Sequence, residues 1–134
     1  MDKSAVIHIQ KEDDIILARK TSREFAKLLN FSATNQSRVL TAVSELARNI
    51  YRYAGNGEIK VEAIKEMNKS GLIIVAEDEG PGIIDISNAM TQGYSTSGSL
   101  GAGLPGLKRM MDEFQILSEE GSGTKVTVIK WQMN

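Results

Sequence analysis

Leu72-Ile73-Ile74-Val75-Ala76-Glu77-Asp78-Glu79-Gly80-Pro81-Gly82 is the stretch on which the reading of this chain turns. Its first five residues are apolar and mostly β-branched, which predicts a strand; two glycines and a proline then predict a turn. Asp78 therefore stands where the strand ends. An ionised carboxylate is acceptor-only and can take a hydrogen bond from an amino group such as that of adenine. Gly80 and Gly82 let a flat ring approach the main chain closely. A plain type II turn is the ordinary alternative.

Downstream, residues 78–106 hold seven of the twelve glycines and both prolines, so regular structure is interrupted there. The pattern predicts a short helix around Asp85 to Met90 and a mobile loop from Gly93 to Gly103. A helix from Leu104 to Phe114 comes next, with Pro105 in its first turn, where a missing N–H costs least. Gly101, Gly103 and Gly106 satisfy G-x-G-x-x-G, but the residues around them make no Rossmann unit. What remains is a run of main-chain amides, through Ala102 and Leu104, entering a helix N-terminus, which forms an anion cradle. A flexible surface loop is the alternative. Two last strands, Gln115 to Ser118 and Lys125 to Trp131, flank Glu120-Gly121-Ser122-Gly123. Thr124 stands where its side chain could reach a base or a bound water.

Upstream, Ile59 to Ile64 predicts a strand joined to the first by a polar turn, Lys65 to Gly71. Before it, Val39, Val43, Leu46, Ile50 and Tyr53 recur at helical spacing, with Ser32 or Thr34 as cap and Gly55-Asn56-Gly57 as terminator. Glu45 and Asn49 lie four apart, on one side of that helix, and Arg52 extends the polar stripe. A carboxylate beside an amide oxygen suits a hydroxyl proton and a hard cation such as Mg²⁺; a solvated helix face is the ordinary reading. An earlier helix carries Ile15, Ala18, Ser22, Phe25, Ala26 and Leu29, and Val6, Ile7 and Ile9 sit in a short first strand. Glu12-Asp13-Asp14 suit the positive end of the earlier helix's dipole. Helices first, then strands around a glycine-rich segment, predict one α/β two-layer sandwich, with a mixed, mostly antiparallel sheet and helices on one face.

The chain has 134 residues, enough for one domain, taken as residues 1–134, with its own core. It has no cysteine, which excludes disulfides and Cys-ligated metals and fits a reducing cytoplasm. Sixteen Lys and Arg against seventeen Asp and Glu give a net charge of −1, so no overall field gathers nucleic acid or an anionic membrane. No signal peptide or membrane-spanning run is read, and the expected location is cytoplasmic. The single histidine, His8, reads as structural, Met110 and Met111 as core filler. Lys108 and Arg109 could neutralise phosphate charge or simply form a basic face.

The order of these features carries more than any one of them. E-x-x-x-N on a helix, a strand into D-x-G-x-G, a glycine-rich lid into a helix, then Gly-Thr before a last strand resembles the GHKL (Bergerat-fold) ATPase and kinase superfamily. The resemblance spans about Glu45 to Thr124. It implies a catalytic base at Glu45, a Mg²⁺ ligand at Asn49 and an adenine-reading acid at Asp78. Gly80 and Gly82 match the first glycine box, Gly101, Gly103 and Gly106 the phosphate box, and Thr124 the last. Arg52, Ala102 and Leu104 join the expected nucleotide contacts. Ser44 to Tyr51, Tyr53-Ala54-Gly55 and Gly93 to Ser97 through Gly106 further resemble the stressosome switch kinases (RsbT type), cousins of the anti-sigma-factor kinases.

That resemblance implies an ATP- and Mg²⁺-dependent serine/threonine kinase acting on small STAS-domain proteins in a stressosome-type complex. Once released, it would bind and activate a downstream output protein such as a phosphatase. No nucleic acid or membrane partner is expected. The chain has no room for the phosphoacceptor-histidine helices of a histidine kinase, or for the transducer domain of the chaperone and gyrase relatives. An anti-sigma-like module that sequesters a partner under nucleotide control is the rival reading; Glu45 argues against it, since pure binding needs no base.

Overall fold

The computed structural model describes residues 3–81 and 103–133. In order come β1 (Ser4–Ile9), α1 (Asp13–Leu28), α2 (Ala33–Asn49), a π-helical turn (Ile50–Ala54), β2 (Gly57–Glu66) and β3 (Lys69–Asp78), then α3 (Gly103–Met110), β4 (Glu113–Glu119) and β5 (Gly123–Met133). One five-stranded sheet runs β1-β2-β3-β5-β4. The expected mostly antiparallel sheet is wholly antiparallel among the described pairings. The expected short helix around Asp85 to Met90 lies outside the described residues, as do Gly82, Gly101, Ala102 and most of the glycine-rich loop.

One face of the sheet is covered. Ile7, Ile9, Ile59, Val61, Leu72, Ile74, Val126 and Val128 alternate inward and are buried, as the two-residue period of strands requires. Against them α1 sets Ala18, Phe25 and Ala26, and α2 sets Val39, Val43, Leu46 and Ala47. Local chemistry fixes how these helices meet. Asn30 takes a positive φ of 60°. Asn30 N–H donates to Lys27 O at 3.0 Å and Phe31 N–H to Ala26 O at 2.9 Å, closing α1 in a Schellman motif. Ser32, rather than Thr34, then caps α2, its hydroxyl accepting from Asn35 N–H at 3.1 Å. Asp14 reaches back from α1 to accept N–H bonds from Gln10 at 2.9 Å and Lys11 at 3.0 Å.

Two expectations are corrected. The second helix does not run on as an α-helix through Tyr53: Gly55 N–H donates to Ile50 O at 3.0 Å, the i→i+5 bond of a π turn. The wider turn rotates the residues beyond Asn49, so Ile50 stays buried while Tyr53 is half exposed. Arg52 is carried on that turn and is exposed. The last helix stops at Met110, short of Phe114, because Asp112 is captured by β5. Asp112 N–H donates to Ile129 O at 2.9 Å, and its carboxylate accepts from Trp131 N–H at 2.7 Å. Phe114 pairs with Val128 in β4 instead.

Candidate functional site

Glu45 lies on α2 with 3 % of its surface exposed, one turn before the half-buried Asn49. Burying a carboxylate is costly unless it is paired, and Arg48 Nη1 sits 3.4 Å from Glu45 Oε2. Arg48 was not read from the sequence as a site residue, although its i,i+3 position is the spacing at which such pairs form. A cleft of about 360 Å³ opens beside Glu45, lined by Arg19 of α1 and by Thr41, Ser44 and Arg48 of α2.

Asp78 is the last residue of β3, as expected, and is half-buried. Its Oδ1 accepts the Gly80 N–H at 2.9 Å, which orients the carboxylate. The register sets Asp78 directly opposite Thr124 of β5, so both side chains lie on one face of the sheet. Thr124 Oγ1 is 2.9 Å from Ser118 Oγ, and Ser118 Oγ also donates to Gly123 O at 3.0 Å. Ser118 thus holds Thr124 in place, a contact across β4 and β5 with no signal in the sequence.

Close backbone approach builds this corner. A Cβ on Gly80 would stand 2.7 Å from Ala54 Cβ, so only glycine lets the turn after β3 seat against the π turn. Gly123 has φ +88°, and a Cβ there would overlap the Asp78 carbonyl oxygen. Gly121 N–H donates to Pro81 O at 2.8 Å, tying the β4–β5 turn to the same place. The described contacts thus gather Asp78, Gly80, Thr124 and the π turn that continues from Asn49. Arg52 is carried on that turn. Gly103, Leu104 and Gly106 form the start of α3, where Gly103 and Gly106 are buried, and α3 packs on α2.

The chemistry of these groups fits a nucleotide: an oriented acceptor-only carboxylate near a hydroxyl suits a base, and glycine amides at a helix N-terminus suit phosphate. Among the described residues no three His, Cys, Asp or Glu side chains cluster as a metal cage. A Mg²⁺ ion held mainly by phosphate oxygens and one or two protein ligands needs none. No helix among the described residues is long and apolar enough to cross a membrane.

Known proteins resemble this chain in sequence and fold. The family model for the histidine kinase-like ATPase domain matches residues 10–130. The serine/threonine-protein kinase RsbT of Bacillus subtilis (strain 168) is 53 % identical over 131 residues, covering 98 % of both chains. The anti-sigma F factor of Clostridium beijerinckii is 30 % identical, covering 96 % of this chain and 94 % of the factor. Among solved structures, the mycobacterial sensor histidine kinase MprB superposes with a TM-score of 0.53 at 13 % identity, covering 97 % of both chains. The RsbU and RsbW domains of a Mycobacterium tuberculosis protein give 0.58 at 18 % identity, covering 94 % of this chain and 31 % of the longer one. These structures speak to the fold, the two sequence relatives to descent. The chain belongs to the histidine kinase-like ATPase family and, within it, to the RsbT-type serine/threonine-protein kinases.

Proposed function

We propose that this chain phosphorylates a serine or threonine on a small STAS-domain protein of a stressosome-type partner-switching complex, using ATP and Mg²⁺. Released from that complex, it binds and activates a downstream output protein such as a phosphatase, all in the cytoplasm. The observation that carries this reading is the near full-length identity to a serine/threonine-protein kinase, in a chain that retains a buried Glu45 one turn before Asn49.

Asp78 takes the adenine amino group through its carboxylate, oriented by the Gly80 N–H, with Gly82 and Thr124 completing the base site. Amides from Gly101 through Gly106, with Ala102 and Leu104 between the glycines, receive the phosphates at the start of α3. Asn49 supplies an oxygen for Mg²⁺, and Arg52 stands near enough in sequence to add charge. When bound, Mg²⁺ neutralises charge that develops on the phosphate oxygens. Glu45 orients the acceptor hydroxyl, which can arrive along the cleft between α1 and α2. Glu45 receives the hydroxyl proton late, as the acceptor oxygen bonds to the γ-phosphorus and the bridging oxygen departs with ADP. Such transfers pass through a loose transition state, so positioning and electrostatics supply most of the acceleration.

The anti-sigma F likeness keeps a second reading in view, nucleotide-gated sequestration of a partner. Incubation with γ-labelled ATP, Mg²⁺ and a panel of STAS-domain proteins separates the two. Label on a serine or threonine is expected; ATP and partner binding without transfer to any of them would favour sequestration.

A further inference from the structure

We propose that Lys130 is a positioning residue that sets where the N-terminal end of α3 stands, an inference that rests on the proposed phosphate-binding role of that end. Lys130 occupies an inward-facing position of β5, after Val126 and Val128, and its side chain is 7 % exposed. Of the charged residues buried among the described part of the chain, it is the one that belongs to the sheet; the other, Glu45, is on α2. Its ammonium donates to Met110 O at 3.2 Å, the carbonyl of the last residue of α3. It also reaches Asp112 Oδ1 at 3.3 Å.

Asp112 is itself bonded to β5 on both sides of Lys130, through Ile129 O and Trp131 N–H. Three consecutive β5 residues therefore latch the C-terminal end of α3. The last carbonyls of a helix lack intrahelical donors and carry the negative end of its dipole, so a cation is favoured there.

Stability alone does not explain the choice. A buried ion pair is weak evidence for stability, since an apolar pair of similar volume often packs in such a site as well or better. What the pair adds is a fixed location. The helix has eight residues, a rod about 12 Å long, so a latch at one end fixes the pose of the other. There the amides of Gly103 and Gly106 meet phosphate in the proposed mechanism. A misplacement of about 1 Å at a reacting group can cost on the order of a hundredfold.

The test compares wild type, Lys130→Met and Lys130→Arg by thermal melting and by calorimetric titration with a non-hydrolysable ATP analogue and with adenosine. Adenosine reports the Asp78 end of the site alone. Lys130→Met leaves the Met110 carbonyl and Asp112 without the ammonium, so it should melt below wild type, yet bind adenosine as wild type does and lose roughly tenfold in affinity for the ATP analogue. Lys130→Arg should recover most of that loss. Should Lys130→Met fail to fold, Asp112→Asn, at a side chain 40 % exposed, removes the partner charge and should shift the analogue-to-adenosine ratio in the same direction. A folded Lys130→Met, or in its place Asp112→Asn, with the wild-type ratio would overturn the proposal. A wild-type protein that prefers the ATP analogue no more than adenosine would instead overturn the phosphate reading of α3, and this inference with it.

Discussion

Replacing Gly123 and Gly121 by alanine, one at a time, separates backbone strain from the steric contact that holds Asp78. Both glycines have positive φ, +88° at Gly123 and +81° at Gly121. A side chain in that region costs about 1–2 kcal/mol, offset by ~0.4–1 kcal/mol because alanine has less unfolded-state freedom to lose. A Cβ on Gly121 meets nothing within 4 Å, so Gly121→Ala should cost about 0–1.6 kcal/mol. On Gly123 the Cβ overlaps the Asp78 carbonyl oxygen and lies 2.9 Å from both Asp78 C and Glu79 Cα. These are backbone atoms that cannot rotate away, so an overpacking cost of roughly 1–3 kcal/mol is added. At ~3–5 °C per kcal/mol for a chain of this length, Gly123→Ala should melt about 3–15 °C below Gly121→Ala. Because the displaced backbone carries Asp78, affinity for an ATP analogue should fall in Gly123→Ala and hold in Gly121→Ala. Thermal melting and calorimetry read the two effects. Equal melting temperatures would refute the packing argument. A lowered melting temperature with unchanged nucleotide affinity would refute the link to Asp78.

Three further outcomes are expected. Asp78→Asn keeps the fold by circular dichroism but loses a charge-assisted hydrogen bond of about 1.5–3 kcal/mol, hence ten- to a hundredfold in ATP affinity; unchanged affinity removes Asp78 from the base site. The N–H bonds from Gln10 and Lys11 hold the Asp14 carboxyl below its ordinary value of 3.8. Its stabilising effect is therefore present above that value and is lost as pH falls through the lower, folded one. The stability gap between wild type and Asp14→Ala should narrow in acid, and a gap that does not change with pH contradicts this. Ser22 is fully buried and its hydroxyl has no hydrogen-bond partner among the described residues, so Ser22→Ala should stabilise by about 1–2 kcal/mol in denaturant titration; a loss of stability would reveal a partner for the hydroxyl.

How much the sequence made legible depends on how local each signal is. The end of α1 near Leu29 and the cap of α2 are decided within a few residues, so the first is readable and the second narrows to Ser32 or Thr34. The π turn is not readable, because it is fixed by Ala54 seating against Gly80 on another element. The stop of α3 at Met110 was hidden for the same reason, since Asp112 is claimed by β5. No periodicity announces that β5 lies between β3 and β4, yet that order sets Thr124 opposite Asp78. Of the site, residue types and chain order were visible: a carboxylate at a strand end, Glu45 and Asn49 on one helix side, glycines before α3. The burial of Glu45, its Arg48 partner and the Ser118 support of Thr124 are products of packing. The stripe through Arg52 extends α-helical spacing across a turn that has a different period.

Phosphoryl transfer by Glu45→Gln tests the account most directly. Glutamine keeps the shape of the side chain but cannot accept the hydroxyl proton. With γ-labelled ATP, Mg²⁺ and a STAS-domain protein that the wild type phosphorylates, the variant should bind ATP with near wild-type affinity. Its turnover should fall roughly 10²–10⁴-fold, the usual worth of general-base catalysis. Transfer at close to the wild-type rate would contradict the assignment of Glu45 and the mechanism built on it.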